Sequence, residues 1–238
     1  MGRLRIDKYL ADMGLGTRSQ VKVLLKNKKV TVNGETVLKP EIKVDPSADE
    51  ILVSGEKITY EAFEYYMLNK PAGVVSATED PRDKTVLDCI SSKKRKDLFP
   101  VGRLDKDTEG LLLITNDGDL AHRLLSPKKH VDKTYYVRLR ETLSEEDVEK
   151  LSTGLDIGEK SLTLPAKITA YREEEKDCRI TIREGKFHQV KRMFAAVDNE
   201  VLYLKRLSMG SLCLDESLAL GAYRKLTQEE IERLKQNA

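Results

Sequence analysis

Leu111-Leu112-Leu113-Ile114 is the stretch that leaves this chain least freedom. Four large apolar side chains in succession offer no polar face, so the segment is comfortable only as a buried strand. Directly before it stands Gly102-Arg103-Leu104-Asp105-Lys106-Asp107-Thr108-Glu109-Gly110, a loop dense in opposite charges. A loop at the edge of a core holds carboxylates and cations where burial and neighbours tune their protonation. A solvated turn could carry the same residues, so the loop's meaning depends on what else the chain brings to it.

The chain's 238 residues suffice for one large domain or two smaller ones. Its net charge of +2, with 34% charged residues, means that affinity for nucleic acid has to come from clustered cations. Cys89, Cys178 and Cys213 are odd in number, far apart and without Cys-x-x-Cys spacing, which argues against a disulfide framework and a structural zinc site. His122, His130 and His188 are scattered too, and no metal ligand set is expected. Arg3, Arg5, Asp7 and Lys8 interrupt the apolar residues at the N-terminus, so no export signal is read there, and no apolar run is long enough to span a bilayer. The expectation is a reduced, soluble, cytoplasmic monomer with no membrane contact.

Ile6, Tyr9, Leu10 and Met13 recur as one stripe of an amphipathic helix that Gly14 and Gly16 end. Thr17 opens a second helix, and Gln20 stands at the capping-box spacing. There Val21, Leu24 and Leu25 form the buried stripe, while Arg18, Lys22, Lys26 and Lys29 share an adjoining face. Val30 to Val37 alternates around Asn33-Gly34, a tight-hairpin signal. A basic helical face alone is usually just solvated. The order helix, capped basic helix and Val-x-Val-Asn-Gly hairpin resembles the S4-type RNA-binding domain. The resemblance implies that Arg18, Lys22, Lys26 and Lys29 meet RNA phosphates, which position a protein without reading sequence. Ser54-Gly55-Glu56-Lys57 is read as the polar stretch joining two halves.

In the second half, Tyr65 to Asn69 reads as a buried strand broken by Lys70-Pro71-Ala72-Gly73, and Lys93 to Lys96 forms a basic run, read as an exposed flexible loop or an RNA contact. Asp119 is expected to cap a short helix ending at Ser126-Pro127. Lys133 to Arg140 alternates, with Tyr135, Val137 and Leu139 on one face. Ser144 and Thr227 open two further helices. Phe187, Val190, Phe194 and Val197 form a helical stripe that places Lys191 at its flank and Arg192 nearly opposite.

Three of these stretches, Arg103-Leu104-Asp105, Lys133-Thr134-Tyr135 and Phe187-His188-Gln189-Val190-Lys191-Arg192, resemble the motifs of the pseudouridine synthases that modify ribosomal RNA. Leu68-Asn69-Lys70-Pro71-x-Gly73 and the closing Gly221 to Thr227 are further points of likeness. The resemblance implies Asp105 as nucleophile, Tyr135 as the ring stacked on the target base, and a cation paired with Asp105 that is either Lys191 or Arg192. It further implies RNA contacts at Arg103, which in relatives occupies the vacated stack, and at Lys133. No cofactor is implied. Domain order and the Ser126 to Tyr135 stretch look most like the 16S, small-subunit type, whose usual target is uridine 516. The implied partner is 16S ribosomal RNA or a small-subunit assembly intermediate. Alternatives are a 23S enzyme of the large subunit and a non-catalytic S4-type assembly factor. Asp105 and Asp107 could also suggest a glycoside hydrolase, but the chain has no Trp and only 5% aromatic residues. Asp105, Asp107 and Glu109 lack the repeated spacing of a cation loop. The expected fold class is α+β: a small S4-like domain over residues 1–60, then a catalytic domain over 61–238 on a mixed, mostly antiparallel sheet flanked by helices.

Overall fold

The computed structural model describes Gly2 to Asn237. Contacts divide the chain into two units: residues up to Glu64 together with Ser92–Asp97, and Tyr65–Ser91 together with the residues from Leu98 on.

In the first unit, helix α1 (Ile6–Asp12) buries Ile6, Tyr9 and Leu10, with Met13 just beyond it. Helix α2 (Arg18–Lys26) starts with both capping-box bonds: the Thr17 hydroxyl accepts from the Gln20 N–H at 3.3 Å, and the Gln20 side chain accepts from the Thr17 N–H at 2.7 Å. Val21 and Leu25 are fully buried, and Arg18, Lys22, Lys26 and Lys29 stay exposed. An antiparallel sheet follows in the order Glu35–Thr36, Val30–Val32, Ile51–Val53, Glu56–Lys57. Asn33 and Gly34, at φ 52° and 84°, make the tight turn that the sequence signals.

Two expectations change here. Ser54-Gly55-Glu56-Lys57 is not a joining stretch: Ser54 and Gly55 also take positive φ (53° and 87°) and close a second hairpin, with Val53 opposite Glu56. The basic run is not wholly solvated either. Arg95 is buried, its guanidinium donating to Asp97 and standing 3.4 Å from Asp12, while Glu64 accepts the N–H groups of Lys94 and Arg95. Those contacts explain why residues 61–64 and 92–97 group with the first unit. A buried guanidinium needs carboxylates around it, and Asp12 is one of the first unit's own.

The second unit is built on a sheet with the order Lys167–Arg172, Asp177–Ile182, Lys133–Leu139, Val201–Met209, Glu109–Thr115, Tyr65–Lys70, Tyr223–Lys225. Among these neighbours only Val201–Met209 and Glu109–Thr115 run parallel. Side chains alternate between two apolar layers. Leu112, Ile114, Tyr135 and Val137 pack on one side, together with Leu151 of α4 (Glu145–Thr153) and Val190, Met193 and Phe194 of α5 (Gln189–Ala195). Leu111 and Leu113 pack on the other, with Leu120 and Leu124 of α3 (Gly118–Leu125) and Leu234 of α6 (Gln228–Gln236). Both faces of the Leu111–Ile114 strand are therefore covered, which is why its sequence shows no alternation.

Asp117, not Asp119, caps α3. Its carboxylate accepts the Leu120 N–H at 3.0 Å, which leaves Asp119 in the first turn, where an acid suits the helix dipole. Phe187 departs from its expected stripe: α5 begins at Gln189, and His188 before it is left-handed (φ 48°, ψ 34°), so the helical period does not reach back to Phe187. The ring is 69% exposed.

Gly110 is constrained twice. Its φ is +100°, and a Cβ there would lie 2.3 Å from the Arg206 carbonyl oxygen and 2.8 Å from its nitrogen, both backbone atoms of the parallel neighbour. Gly110→Ala is expected to destabilise the protein by about 2 kcal/mol or more in urea unfolding, from backbone strain plus displacement of a ladder partner.

Candidate active site

The charged loop is held by its backbone. Lys70, at the end of a fully buried strand, has no exposed surface, and its ammonium donates to the carbonyls of Thr108 (2.8 Å), Asp105 (3.0 Å), Pro71 (3.1 Å) and Lys106 (3.3 Å). The Gly73 N–H donates to the Lys106 carbonyl at 2.7 Å. Ser76 brackets Leu104, its hydroxyl accepting the Leu104 N–H at 3.0 Å and donating to the Leu104 carbonyl at 2.8 Å. Leu104 is itself buried in the core. Carbonyls that turn inward at a tight loop need donors, and Lys70 supplies them where water does not reach.

That lysine also has an electrostatic consequence. Burial pushes its pKa down to about 8 against the pull of Asp107, Asp105 and Glu109. Between about pH 8 and the ordinary lysine value of 10.5, the unfolded chain keeps a proton that the folded one has released. Unfolding then takes up a proton, so this group's contribution to stability rises with pH across that window. Urea unfolding of wild type and Lys70→Met is expected to show the wild type gaining on the variant from pH 8 to 10.5.

The loop brings Asp105 to a cleft lined by Arg103, Asp105, Thr108, Tyr135, His188 and Val190 among others. The Lys191 ammonium, brought in by the first turn of α5, stands 3.2 Å from Asp105 Oδ2. His188 Nε2 lies 3.4 Å from Oδ1. Lys191 also bonds Asp107 Oδ1 at 2.6 Å. Burial alone would lower the Lys191 pKa, but its hydrogen bonds to Asp107 and Asp105, and their charges, outweigh this and hold it above the ordinary value. The Lys191 hydrogen bond, opposed by burial, in turn holds the Asp107 carboxyl below the usual range. The result is a cation held between two carboxylates, one of which lines the cleft.

Tyr135 lies on the strand whose inward face packs in the core, is 7% exposed and lines the cleft. Arg103 is exposed at the cleft. Arg192 is directed elsewhere: its guanidinium bonds Glu159, the Phe187 carbonyl and the Ile157 carbonyl. The structure thus brings Asp105, Tyr135, Arg103 and Lys191 to one cleft and leaves Arg192 outside it. Lys133 departs from its expected role. It is buried, with its ammonium on the Val131 carbonyl at 3.1 Å and its pKa lowered by burial and by Arg206, so the amine supports the chain before the strand instead of facing RNA. Arg18, Lys22, Lys26 and Lys29 belong to the first unit. Sequence periodicity had no means to find His188 beside Asp105, because the left-handed residue breaks the pattern that placed Lys191. Nor did it show what Lys70 holds, since a lysine ending an apolar strand reads as a strand end.

Among the described residues no group of three or more His, Cys, Asp or Glu is arranged to hold a metal ion, and no helix is long and apolar enough to cross a membrane.

The sequence model of the RNA pseudouridylate synthases matches residues 64–196, and that of the S4 domain residues 4–59. The chain is 51% identical to an uncharacterized RNA pseudouridine synthase of Bacillus subtilis, YtzG, over 97% of this chain and 98% of that one. It is 43% identical to ribosomal small subunit pseudouridine synthase A of Vibrio vulnificus, over 96% of this chain and 98% of that one. The enzyme of the same name from Escherichia coli is 40% identical over the same shares. A crystal structure described as a pseudouridylate synthase superposes with a TM-score of 0.69 at 41% identity, covering 97% of this chain and 99% of that one. An S4 domain ahead of a synthase domain matched over more than half of the chain, with relatives aligned over nearly all of it, leaves one assignment: the chain belongs to the RNA pseudouridylate synthase family and is an RNA pseudouridine synthase, an isomerase.

Proposed function

We propose that this enzyme converts one uridine of small-subunit (16S) ribosomal RNA to pseudouridine, with Asp105 as nucleophile. The observation that carries the chemistry is the Asp105 carboxylate, set in a cleft beside Tyr135 and held on one oxygen by Lys191 at 3.2 Å. The small-subunit target is supported by the names of the Vibrio vulnificus and Escherichia coli relatives, which align over nearly the whole chain. The finer target is uridine 516, the family's usual site.

The reaction breaks the bond from ribose C1′ to uracil N1 and forms one from C1′ to C5, while a proton leaves C5 and another arrives at N1. Electrons balance without an oxidant or reductant. The uridine first has to leave its stack, which costs a few kcal/mol. Arg103 at the cleft entrance fills the vacated place, and the Tyr135 ring holds the extruded base, a contact worth about 1–3 kcal/mol. The Lys191 ammonium, 3.2 Å away, balances the negative charge of Asp105 when substrate excludes water. The exposed cations of α2 and Lys29 take phosphates of the folded RNA and give affinity without reading sequence.

The test uses ribosomal RNA and small-subunit particles from cells lacking the protein, treated with wild type or Asp105→Asn. Pseudouridine is mapped by primer extension after carbodiimide modification. A single new stop in 16S RNA, made by wild type alone, supports the reading. A stop in 23S RNA keeps the chemistry and replaces the target. Tight RNA binding with no stop on any substrate overturns the catalytic reading.

A further inference from the structure

We propose that the outer face of Phe187 is a stacking platform for the unpaired nucleobase next to the target uridine. The inference rests on the RNA substrate proposed above and adds a contact to it. The Phe187 and His188 rings are stacked, with centroids 3.8 Å apart and planes 19° from parallel. His188 Nε2 in turn lies 3.4 Å from Asp105 Oδ1. A two-ring stack therefore begins at the reactive carboxylate and ends in an aromatic ring that is 69% exposed.

The backbone is shaped to present that ring. His188 is left-handed and makes no side-chain cap, a conformation that costs free energy in a non-glycine residue and persists only where its surroundings fix it. Those surroundings are stitched closely. The Lys186 N–H donates to Gln189 Oε1 at 2.9 Å, and its ammonium donates to the carbonyls of Ser161 (2.8 Å) and Leu162 (2.9 Å). Gln189, nearly fully buried, donates to Glu184 at 2.8 Å. These bonds hold the turn in place, which lowers the chain-entropy cost of presenting the ring to a partner.

A nucleobase suits this ring better than an apolar protein surface. Exposed Arg103 lines the same cleft as the neighbouring His188, so a partner carrying phosphates is favoured over a purely apolar one. Extruding a uridine also strips its neighbour of a stacking partner on one side. A flat ring beside the cleft replaces that partner, and it accepts any base because every base has a π-face.

The experiment measures single-turnover pseudouridine formation on a 16S transcript with wild type, Phe187→Leu and Phe187→Tyr. Leucine keeps an apolar side chain without a flat ring; tyrosine keeps the ring. Phe187→Leu is expected to raise the half-saturating RNA concentration about ten-fold, mostly in binding and not in the maximal rate, with Phe187→Tyr close to wild type. A second arm places an abasic residue at each neighbour of the target in turn. At one neighbour the wild type should lose the same factor, and Phe187→Leu should lose almost nothing more. Additive losses at both neighbours, or a Phe187→Leu variant indistinguishable from wild type, would overturn the platform while leaving the substrate assignment intact. A wild type that modifies no transcript overturns the substrate assignment and this inference with it.

Discussion

Asp105→Asn is expected to lower the rate of pseudouridine formation by at least about a thousand-fold while leaving the protein folded. The first half follows from the chemistry: an amide of the same shape carries no negative charge to attack or stabilise an electron-poor carbon. The second half follows from the contacts. Removing one member of a buried charge pair is usually destructive because the other is left unpaired. Here Lys191 keeps its 2.6 Å hydrogen bond to Asp107, and Asp105 is held in place mainly through its backbone, by Lys70. The variant should melt within a few degrees of wild type and bind the same RNA. Equal pseudouridine yield from Asp105→Asn and wild type in single-turnover assays would remove Asp105 from the chemistry. A large loss of thermal stability would instead show that the Asp105 charge is needed for folding.

The parts of this molecule legible in its sequence are those governed by local periodicity and capping. The Leu111–Ile114 run reads as a buried strand and is one, and the helices opened by Thr17, Ser144 and Thr227 all start with capping boxes, to Gln20, Asp147 and Glu230. The misread places are those where a side chain's partner lies far along the chain. Lys133 sits at the start of an alternating strand, where the family resemblance implies an RNA contact. Only the fold shows that its amine turns back onto Val131. Arg95 stands in a run of four cations and looks solvated until Asp12, some eighty positions earlier, is found beside it. Phe187 was misplaced for a different reason. Helical periodicity assumes right-handed backbone, and a single left-handed residue at 188 resets the phase. The same irregularity that spoiled the pattern brings His188 to Asp105, an instance of local rules failing where a site is built.

The choice between two adjacent cations yields the second large effect. Lys191→Met is expected to lower turnover about a hundred-fold or more, because the Asp105 carboxylate loses the ammonium 3.2 Å away that orients it and balances its charge. Arg192→Met should lose far less, since its guanidinium is engaged with Glu159 and the Ile157 carbonyl, away from Asp105. Lys191→Arg should recover part of the loss: the charge is kept, but a planar fork replaces a point donor that now reaches Asp105 and Asp107 together. The pH dependence has a definite sign. Asp107, held low by Lys191, contributes stability above the ordinary carboxylate value of 3.8 that is lost as pH falls through its depressed pKa. Lys191, held high by its carboxylates, contributes stability below the ordinary lysine value of 10.5 that is lost as pH rises through its raised pKa. The difference in stability between wild type and Lys191→Met should therefore be flat across neutral pH and shrink at both extremes. It should also be small, because Asp107 is largely exposed and solvent screens the pair. A carboxyl-carbon NMR titration gives the direct reading: the Asp107 resonance should titrate at higher pH in Lys191→Met than in wild type. An unmoved Asp107, or an Arg192→Met variant as impaired as Lys191→Met, would assign the pairing cation to the wrong residue.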